Sequence, residues 1–152
     1  MGNIFYQDFR DFIQALNDNN VDYILVGGYS VVLHGYSRTT GDMDIWVQRT
    51  KANYKKIVKA FQQFKMPMFD MTEENFLHHS TWDVFTFGKP PVSIDLMVKV
   101  KGLEFEGCYK IAQEYIDDGL KIRLIHINNL ITAKKAAGRP KDIDDINNLS
   151  NK

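Results

Sequence analysis

The spacing of apolar residues divides the first part of the chain into alternating helices and strands. Apolar residues recur every three or four positions up to about Asn20, which predicts an amphipathic helix packed on a sheet. A short apolar run at residues 23–26 predicts a strand, and another helical pattern starts at Thr50 or Lys51 and ends before Pro67. The apolar positions of the first helix are Phe5, Phe9, Phe12, Ile13 and Leu16.

The middle of the chain predicts two hairpins. Four segments are rich in β-forming residues and are joined in pairs by turns that contain glycine. These segments are residues 81–87 with 92–100, and residues 111–115 with 120–127. Residues 66–79 have no clear period and predict a loop with one short helical turn, and residues 103–109 predict a second such turn.

The last section of the chain predicts two helices. Asn128 or Asn129 can cap the first helix, which ends at Gly138. Pro140 suits the first turn of the second helix. The apolar residues that this second helix is predicted to bury are Ile143, Ile146 and Leu149.

The composition is that of one globular domain. The chain has 152 residues, of which 44% are hydrophobic and 25% charged, so we expect a single domain over residues 1–152, with 128–152 as a helical appendix. Lysine plus arginine and aspartate plus glutamate each number 19, and the net charge is zero. This balance disfavours a general polyanion binder, although a local basic patch is compatible with it.

Several classes of protein are excluded by what the sequence lacks. Cys108 is the only cysteine, so there is no intrachain disulfide and no zinc site of the usual four-ligand type. No apolar stretch approaches the length of a membrane span, and the acidic amphipathic start does not match a signal peptide. We therefore expect a cytoplasmic protein with no membrane partner. The histidines, which show no metal-ligand spacing, are His34, His78, His79 and His126.

The segment at residues 23–48 carries the first candidate chemistry. After the strand come Gly27 and Gly28, a short helix to about Gly35, and a second strand that opens with Asp42 and Asp44. Side chains alternate along a strand, so these two carboxylates share a face and lie roughly 7 Å apart at the backbone. They could converge on one metal ion or a pair of ions, although alternating acids also occur on solvent-facing strands.

The glycine pair could form a phosphate cradle. A strand that ends in Gly27-Gly28 lets backbone approach a ligand, and the free N–H groups at a helix start attract phosphate. Ser30 could add its hydroxyl to that cradle. A tight turn alone would also explain the glycines.

Asp95 is a third candidate carboxylate. It lies in an apolar strand, where an unpaired charge is costly, so a metal, an arginine or hydrogen bonds must compensate it. A structural salt bridge is as compatible with the sequence as a metal. Three carboxylates and a phosphate cradle are together what two-metal phosphoryl transfer requires.

Cations cluster at the break between the last two helices. Lys134, Arg139 and Lys141 could anchor triphosphate oxygens, with Arg139 binding in bidentate fashion. An ordinary solvated helix end also explains lysines there, and Asp142 suits a helix start without a catalytic duty. In the first half, Arg38 is expected to pair with the carboxylates, and His34 to be a packed histidine.

These motifs together resemble the polymerase-beta-type nucleotidyltransferase superfamily, and in particular its small bacterial members of the minimal, antibiotic-modifying and toxin types. The motifs that carry the resemblance are Gly27-Gly28, His34-Gly35-x-x-Arg38-x-Thr40-x-Asp42-x-Asp44, Ser93-Ile94-Asp95-Leu96-Met97 and Leu130-x-x-x-Lys134-x-x-x-Gly138-Arg139-Pro140-Lys141-Asp142-x-x-Asp145. The combination is more specific than any of its parts. One departure is Gly28, which stands where many relatives carry serine.

The resemblance implies both a fold and an activity. The fold would be α/β (α+β), a mixed and largely antiparallel sheet flanked by helices, with a small helical C-terminus. Asp42 and Asp44 would bind Mg²⁺ or Mn²⁺, and Asp95 would be the third ligand or the base. Gly28 and Ser30 would bind the triphosphate. The activity would be transfer of a nucleoside monophosphate from a nucleoside triphosphate (NTP) to an acceptor hydroxyl, with release of pyrophosphate.

Two other functions are compatible with the same motifs. One is a non-catalytic nucleotidyltransferase-like module that binds a partner protein, as in toxin–antitoxin systems, and the other is a structural homodimer with a vestigial pocket. The acceptor, whether small molecule, tRNA or protein, and the preferred base are not encoded in any motif that we recognise.

Overall fold

Six strands and seven helices form the part of the chain that the structure, a computed structural model, describes, namely residues 7–36, 41–89 and 92–150. The strands are β1 (Tyr23–Val26), β2 (Met43–Val47), β3 (Val84–Lys89), β4 (Val92–Met97), β5 (Gln113–Asp117) and β6 (Leu120–Leu124). The helices are α1 (Gln7–Asp18), α2 (Gly27–Leu33), α3 (Lys51–Phe64), α4 (Glu73–His78), α5 (Phe105–Ile111), α6 (Ile127–Ala137) and α7 (Pro140–Ser150).

The strands form one mixed sheet in the order β3-β4-β2-β1-β6-β5. Strands β1 and β2, β3 and β4, and β5 and β6 pair antiparallel, whereas β1 pairs with β6 and β2 with β4 in parallel. The predicted α/β class, the mixed and largely antiparallel sheet and the helical C-terminus are therefore confirmed. The parallel pairing of β2 with β4 determines the site, because it brings two distant segments side by side.

Each face of the sheet has its own apolar core. Leu25, Ile45 and Leu96 point to the face that α1 and α3 cover. The residues between them on the strands, such as Val26 and Trp46, point to the opposite face, where Leu130 of α6 and other residues of the C-terminal helices pack. Because side chains alternate along a strand, Asp44 and Asp95 lie on this second face.

Several predicted boundaries are wrong by a few residues. Helix α2 begins at Gly27 itself, so both glycines belong to its first turn. Residues 105–111 form a helix of seven residues and not a single turn, and β5 begins at Gln113 instead of residue 111. The cap of α6 is His126, whose Nδ1 accepts the N–H of Asn128 at 3.1 Å. Phe5, the link at 37–40 and the turn at 90–91 lie outside the described residues.

The predicted inward face of α7 is also wrong at one position. Ile143 is 53% exposed, whereas Leu149 is buried. The other fully covered side chains of this helix are the carboxylates Asp142 and Asp145. The helix therefore turns acids toward the protein interior, and a buried cation compensates them, as described below.

No helix in the described ranges combines the length and the apolar character that crossing a membrane requires.

Asn53 connects α3 to the ends of two central strands. Its side chain is 2% exposed, accepts the N–H of Asp22 at 2.8 Å, and donates to the carbonyls of Asp22 and Gln48 at 3.1 and 2.9 Å. Thr50 caps the same helix by accepting the N–H of Asn53. These bonds satisfy the N–H of Asp22 and the carbonyl of Gln48, and they give the Asp22 carbonyl a second donor beside the N–H of Gln48.

We expect Asn53→Ala to lower the free energy of unfolding by about 2–4 kcal/mol, because it leaves buried backbone groups without partners. Asn75→Ala is the matched control: Asn75 occupies the same position relative to its capping residue Thr72, but its side-chain bond to the carbonyl of Asp70 is exposed. Urea denaturation of both variants measures the difference. Equal losses in the two variants would contradict the bridging role.

Candidate active site

Two predicted carboxylates lie side by side on neighbouring strands. Asp44 of β2 and Asp95 of β4 are register partners in the parallel pair. On one side Asp44 pairs with Val26 of β1, and on the other side Asp95 pairs with Thr86 of β3. Register partners point to the same face, so these residues form one row across four strands. The sheet thus joins carboxylates that are 51 positions apart in the sequence (95 − 44).

Gly27 lies directly beneath the Asp44 carboxylate. A Cβ placed on Gly27 would overlap an Asp44 carboxylate oxygen, and it would lie only 2.7 Å from Cγ and 2.8 Å from Cβ of Asp44. The backbone of Gly27 also has a φ of +70°, which side chains with a Cβ rarely adopt. Both constraints require glycine at this position, and Gly28 follows it in the first turn of α2.

Ser30 does not face the pocket. Its side chain is fully buried, and its hydroxyl donates to the carbonyl of Gly27 at 2.6 Å. The Ser30 hydroxyl thus holds the backbone turn on which Asp44 packs.

The Asp44 carboxyl group has a strongly shifted pKa. Burial, the nearby charges of Asp95 and Asp42, and a hydrogen bond to Asp95 together raise the pKa of Asp44 to about 7, while the charge of Lys134 acts in the opposite direction. At neutral pH the pair therefore holds a proton part of the time, and protonated Asp44 donates it to the Asp95 carboxylate. The site thus holds the Asp44 carboxyl group in surroundings that disfavour its charged form.

Asp42 does not join the pair as closely as predicted. It lies one residue before β2, and its side chain is exposed. Its charge nevertheless raises the pKa of Asp44, so it lies within electrostatic range. Among the described residues, no group of three or more histidine, cysteine or acidic side chains is arranged to hold a metal ion. The structure therefore assembles two of the three predicted carboxylates.

A cavity of about 310 Å³ opens next to the carboxylate pair. Asp44, Asp95 and Gly27 form one side of it, and α6 and the start of α7 form the other. The residues of that opposite side are Leu130, Ala133, Lys134, Ala137, Arg139 and Asp142. The predicted cations Lys134 and Arg139 thus face the carboxylates across one pocket, whereas Lys141 is exposed and does not line it.

Lys134 is a buried cation, not part of a solvated helix end. Its side chain is 7% exposed, and its Nζ lies 3.3 Å from Asp142 Oδ1 and 3.0 Å from Asp145 Oδ2. Both acids are almost completely buried, so α6 and α7 are joined by a largely buried charge network. The solvated-helix interpretation is therefore wrong for Lys134, because the two carboxylates of α7 stabilise its charge in the interior.

Arg139 is held by the same network but remains accessible. Its Nε and Nη2 donate to the two oxygens of Asp142 at 2.6 and 3.1 Å, and its side chain is 57% exposed. Asp142 also accepts the backbone N–H of Arg139 at 3.1 Å, which caps α7. Burial acts to raise the pKa of Asp142, but these bonds and the charges of Lys134 and Arg139 outweigh it and lower that pKa.

His34 is a packed histidine, as predicted. Its Nε2 lies 2.7 Å from the carbonyl oxygen of Ile125, and burial lowers its pKa. Arg38 lies outside the described residues.

Two polar residues at the site, Lys101 in the pocket lining and Thr86 beside Asp95, were not found from the sequence. Thr86 donates its hydroxyl to Asp95 Oδ1 at 2.7 Å. A threonine in a β-rich segment has an ordinary explanation in strand propensity, so the local sequence carries no signal for this contact. Only the register between β3 and β4 indicates it.

We expect the contribution of Asp44 to the free energy of unfolding of the metal-free protein to fall as the pH rises from about 4 to 7. The folded protein keeps the Asp44 proton up to about pH 7, whereas the ordinary pKa is 3.8, so unfolding releases a proton in this window. Asp44→Asn should remove this dependence and raise the melting temperature at pH 8, with a gain that shrinks toward pH 5. Thermal unfolding in EDTA, at several pH values, measures this difference in melting temperature. Identical profiles of melting temperature against pH for wild type and Asp44→Asn would contradict the shifted pKa. The control is Asp70→Asn, because Asp70 is exposed.

We expect Lys134→Met to lower the free energy of unfolding by about 3–5 kcal/mol, because it removes the buried cation that contacts both Asp142 and Asp145 and leaves their charges only partly compensated. Lys135→Met is the control, since Lys135 is the exposed neighbour on the same helix. Chemical denaturation at pH 7.5 compares the variants. A loss below about 1 kcal/mol for Lys134→Met would show that its pairing contributes no more than an exposed ion pair.

The fold is similar to solved structures. A candidate nucleotidyltransferase from Thermotoga maritima superposes with a TM-score of 0.58 at 14% identity, over 95% of this chain and 91% of that one. Lincosamide antibiotic adenylyltransferase LnuA with lincomycin bound gives 0.57 at 16% identity, over 98% of each chain. JHP933 from Helicobacter pylori gives 0.51 at 13% identity, over 95% of this chain and 64% of that one. At these identities the similarity shows a shared fold.

The sequence itself matches a family. No protein of curated function matches it significantly. A family model described as "Nucleotidyltransferase of unknown function (DUF6036)" matches residues 7–150. This match spans nearly the whole chain, including the glycine turn, the carboxylate pair and the cation network. The chain therefore belongs to this family of nucleotidyltransferases.

Proposed function

We propose that the protein transfers a nucleoside monophosphate from an NTP to an acceptor hydroxyl, with release of pyrophosphate, at the pocket between Asp44, Asp95 and the α6–α7 junction. Membership of a nucleotidyltransferase family supports the reaction class. The observation that carries the proposal is the carboxylate pair, held in register over a glycine backbone, in a pocket that the cations Lys101, Lys134 and Arg139 also line.

The carboxylate pair fits a divalent cation. Burial and the neighbouring charges of Asp95 and Asp42 raise the pKa of Asp44, and a cation between Asp44 and Asp95 would offset these effects. Mg²⁺ is commonly held by one or two carboxylates together with substrate phosphates and water, so two protein ligands suffice. Asp42, at the start of β2, remains a proposed third ligand. Mg²⁺ or Mn²⁺, when bound, would neutralise charge on the triphosphate and acidify the acceptor hydroxyl.

The cations at the α6–α7 junction suit the triphosphate. Arg139 uses two of its donors on Asp142, and its other N–H groups remain for phosphate oxygens. Lys134 contributes charge from within the wall, because Asp142 and Asp145 fix its position. We assign the phosphate contacts to Arg139 and to the backbone of Gly27 and Gly28, with exposed Lys141 as an outer contact.

Asp95 is the proposed acceptor-side carboxylate. The acceptor oxygen attacks the α-phosphorus, the bond to the β-phosphate oxygen breaks, and the acceptor proton passes to an Asp95 oxygen. The pocket wall beside Asp95 is apolar and includes Val84 and Met97. A small hydroxylated compound suits such a wall better than a polyanion such as tRNA. LnuA is an antibiotic adenylyltransferase, so lincomycin is a reasonable first compound to test.

We also propose a cytoplasmic location, because the proposed donor NTP and Mg²⁺ are abundant there. No feature of the described residues favours the alternative of a non-catalytic module of a toxin–antitoxin system.

We expect label to pass from at least one α-³²P-labelled NTP, with Mg²⁺, to lincomycin, to another small hydroxylated compound, to total tRNA or to protein. Asp44→Asn and Asp95→Asn should each lower the rate on the order of 100-fold or more, since each removes a ligand charge without a change of shape. Exposed Asp70→Asn is the control and should keep the rate. Calorimetry with a non-hydrolysable NTP and Mg²⁺ tests donor binding separately, and absence of both binding and transfer would contradict the proposal.

A further inference from the structure

Thr86 is the outermost member of the row that crosses the sheet. It lies on the edge strand β3, and its register partner is Asp95 on β4. Its hydroxyl donates to Asp95 Oδ1 at 2.7 Å. The row therefore runs from Thr86 through Asp95 to Asp44, with Gly27 beneath its inner end.

This hydrogen bond restricts the Asp95 carboxylate. The torsion that rotates an aspartate carboxylate has a broad profile, so a carboxylate without fixed partners adopts many orientations. Asp95 has neighbours on both sides: Thr86 binds one oxygen, and Asp44 forms a hydrogen bond to the carboxylate from the adjacent strand. With Oδ1 held toward the edge strand, the carboxylate plane is fixed and an oxygen is presented toward Asp44 and the pocket.

We propose that Thr86 is a positioning residue that holds Asp95 in the orientation required to bind the divalent cation jointly with Asp44. The inference rests on the proposed function, because it assumes that this pair binds a cation. Thr86 acts through Asp95 and does not touch the cation or the substrate. Hydrogen bonds of this kind, from an outer residue to a metal ligand, commonly contribute 10- to 100-fold to metal affinity.

A purely structural role for Thr86 predicts different behaviour. Threonine favours strands, and Thr86 is exposed on β3, so its contribution to the fold could be its β-propensity alone. Valine has the same shape and an equal or better β-propensity, but it has no hydroxyl. Thr86→Val therefore separates the hydrogen bond from the strand, and Thr86→Ser restores the hydroxyl on a smaller side chain.

The test is a calorimetric titration of the purified protein with Mn²⁺ alone at pH 7.5, with thermal unfolding measured in parallel. We expect Thr86→Val to weaken Mn²⁺ binding about 10- to 100-fold, Thr86→Ser to bind within about 3-fold of wild type, and both to melt near the wild-type temperature. Thr132→Val is the control, because Thr132 donates its hydroxyl to the Asn128 carbonyl of α6 and not to a carboxylate.

The outcomes separate this inference from the proposed function. If wild type binds Mn²⁺ and Thr86→Val binds it equally well, the positioning role is overturned while the proposed function stands. If Thr86→Ser is as weak as Thr86→Val, the hydroxyl is not the cause and the inference also fails. If wild type binds no Mn²⁺, with or without NTP, the cation site itself is absent and both proposals fall. With active protein, Thr86→Val should also raise the Mg²⁺ concentration needed for half-maximal rate more than it lowers the rate at saturating Mg²⁺.

Discussion

The contact of two carboxylates above a bare glycine backbone constrains this structure more than any other interaction. A parallel strand pair brings Asp44 and Asp95 together, and the Asp44 side chain leaves no room for a Cβ at Gly27. Burial and the like charges of Asp95 and Asp42 disfavour the charged form of Asp44, and its pKa is raised to about 7. This arrangement lowers the stability of the fold at neutral pH. Such a loss of stability is common at sites that bind a cation or transfer a proton.

The C-terminal helices complete the site by a second electrostatic device. Lys134 is buried between Asp142 and Asp145, and Arg139 is held on Asp142 at the pocket's edge. The same carboxylates that join α7 to α6 therefore keep two cations facing the Asp44–Asp95 pair. The network that joins the two helices thus includes residues that we propose to bind phosphate, so changes in it are expected to affect both stability and the proposed binding.

The elements and the chemistry of the site were largely predictable from local patterns, but their spatial relations were not. The strand before Gly27, the alternation around Asp44 and the helix end at Gly138 depend on neighbours in the sequence, and the structure confirms them. The burial of Lys134 depends on acids from another helix, and the contact of Thr86 with Asp95 depends on strand register. Local periodicity contains neither, which is why the sequence alone suggested either a solvated helix end or a phosphate anchor for Lys134 and gave no sign of its burial.

The central claim is that Asp44 and Asp95 bind one divalent cation between them. Diffraction at the manganese edge from crystals grown at pH 7.5 and soaked in Mn²⁺ with a non-hydrolysable NTP tests it directly. We expect an anomalous peak within coordination distance of one oxygen of Asp44 and one oxygen of Asp95, next to the Gly27 backbone. Two carboxylates still hydrogen bonded to each other, with manganese elsewhere or nowhere in the crystal, would contradict it.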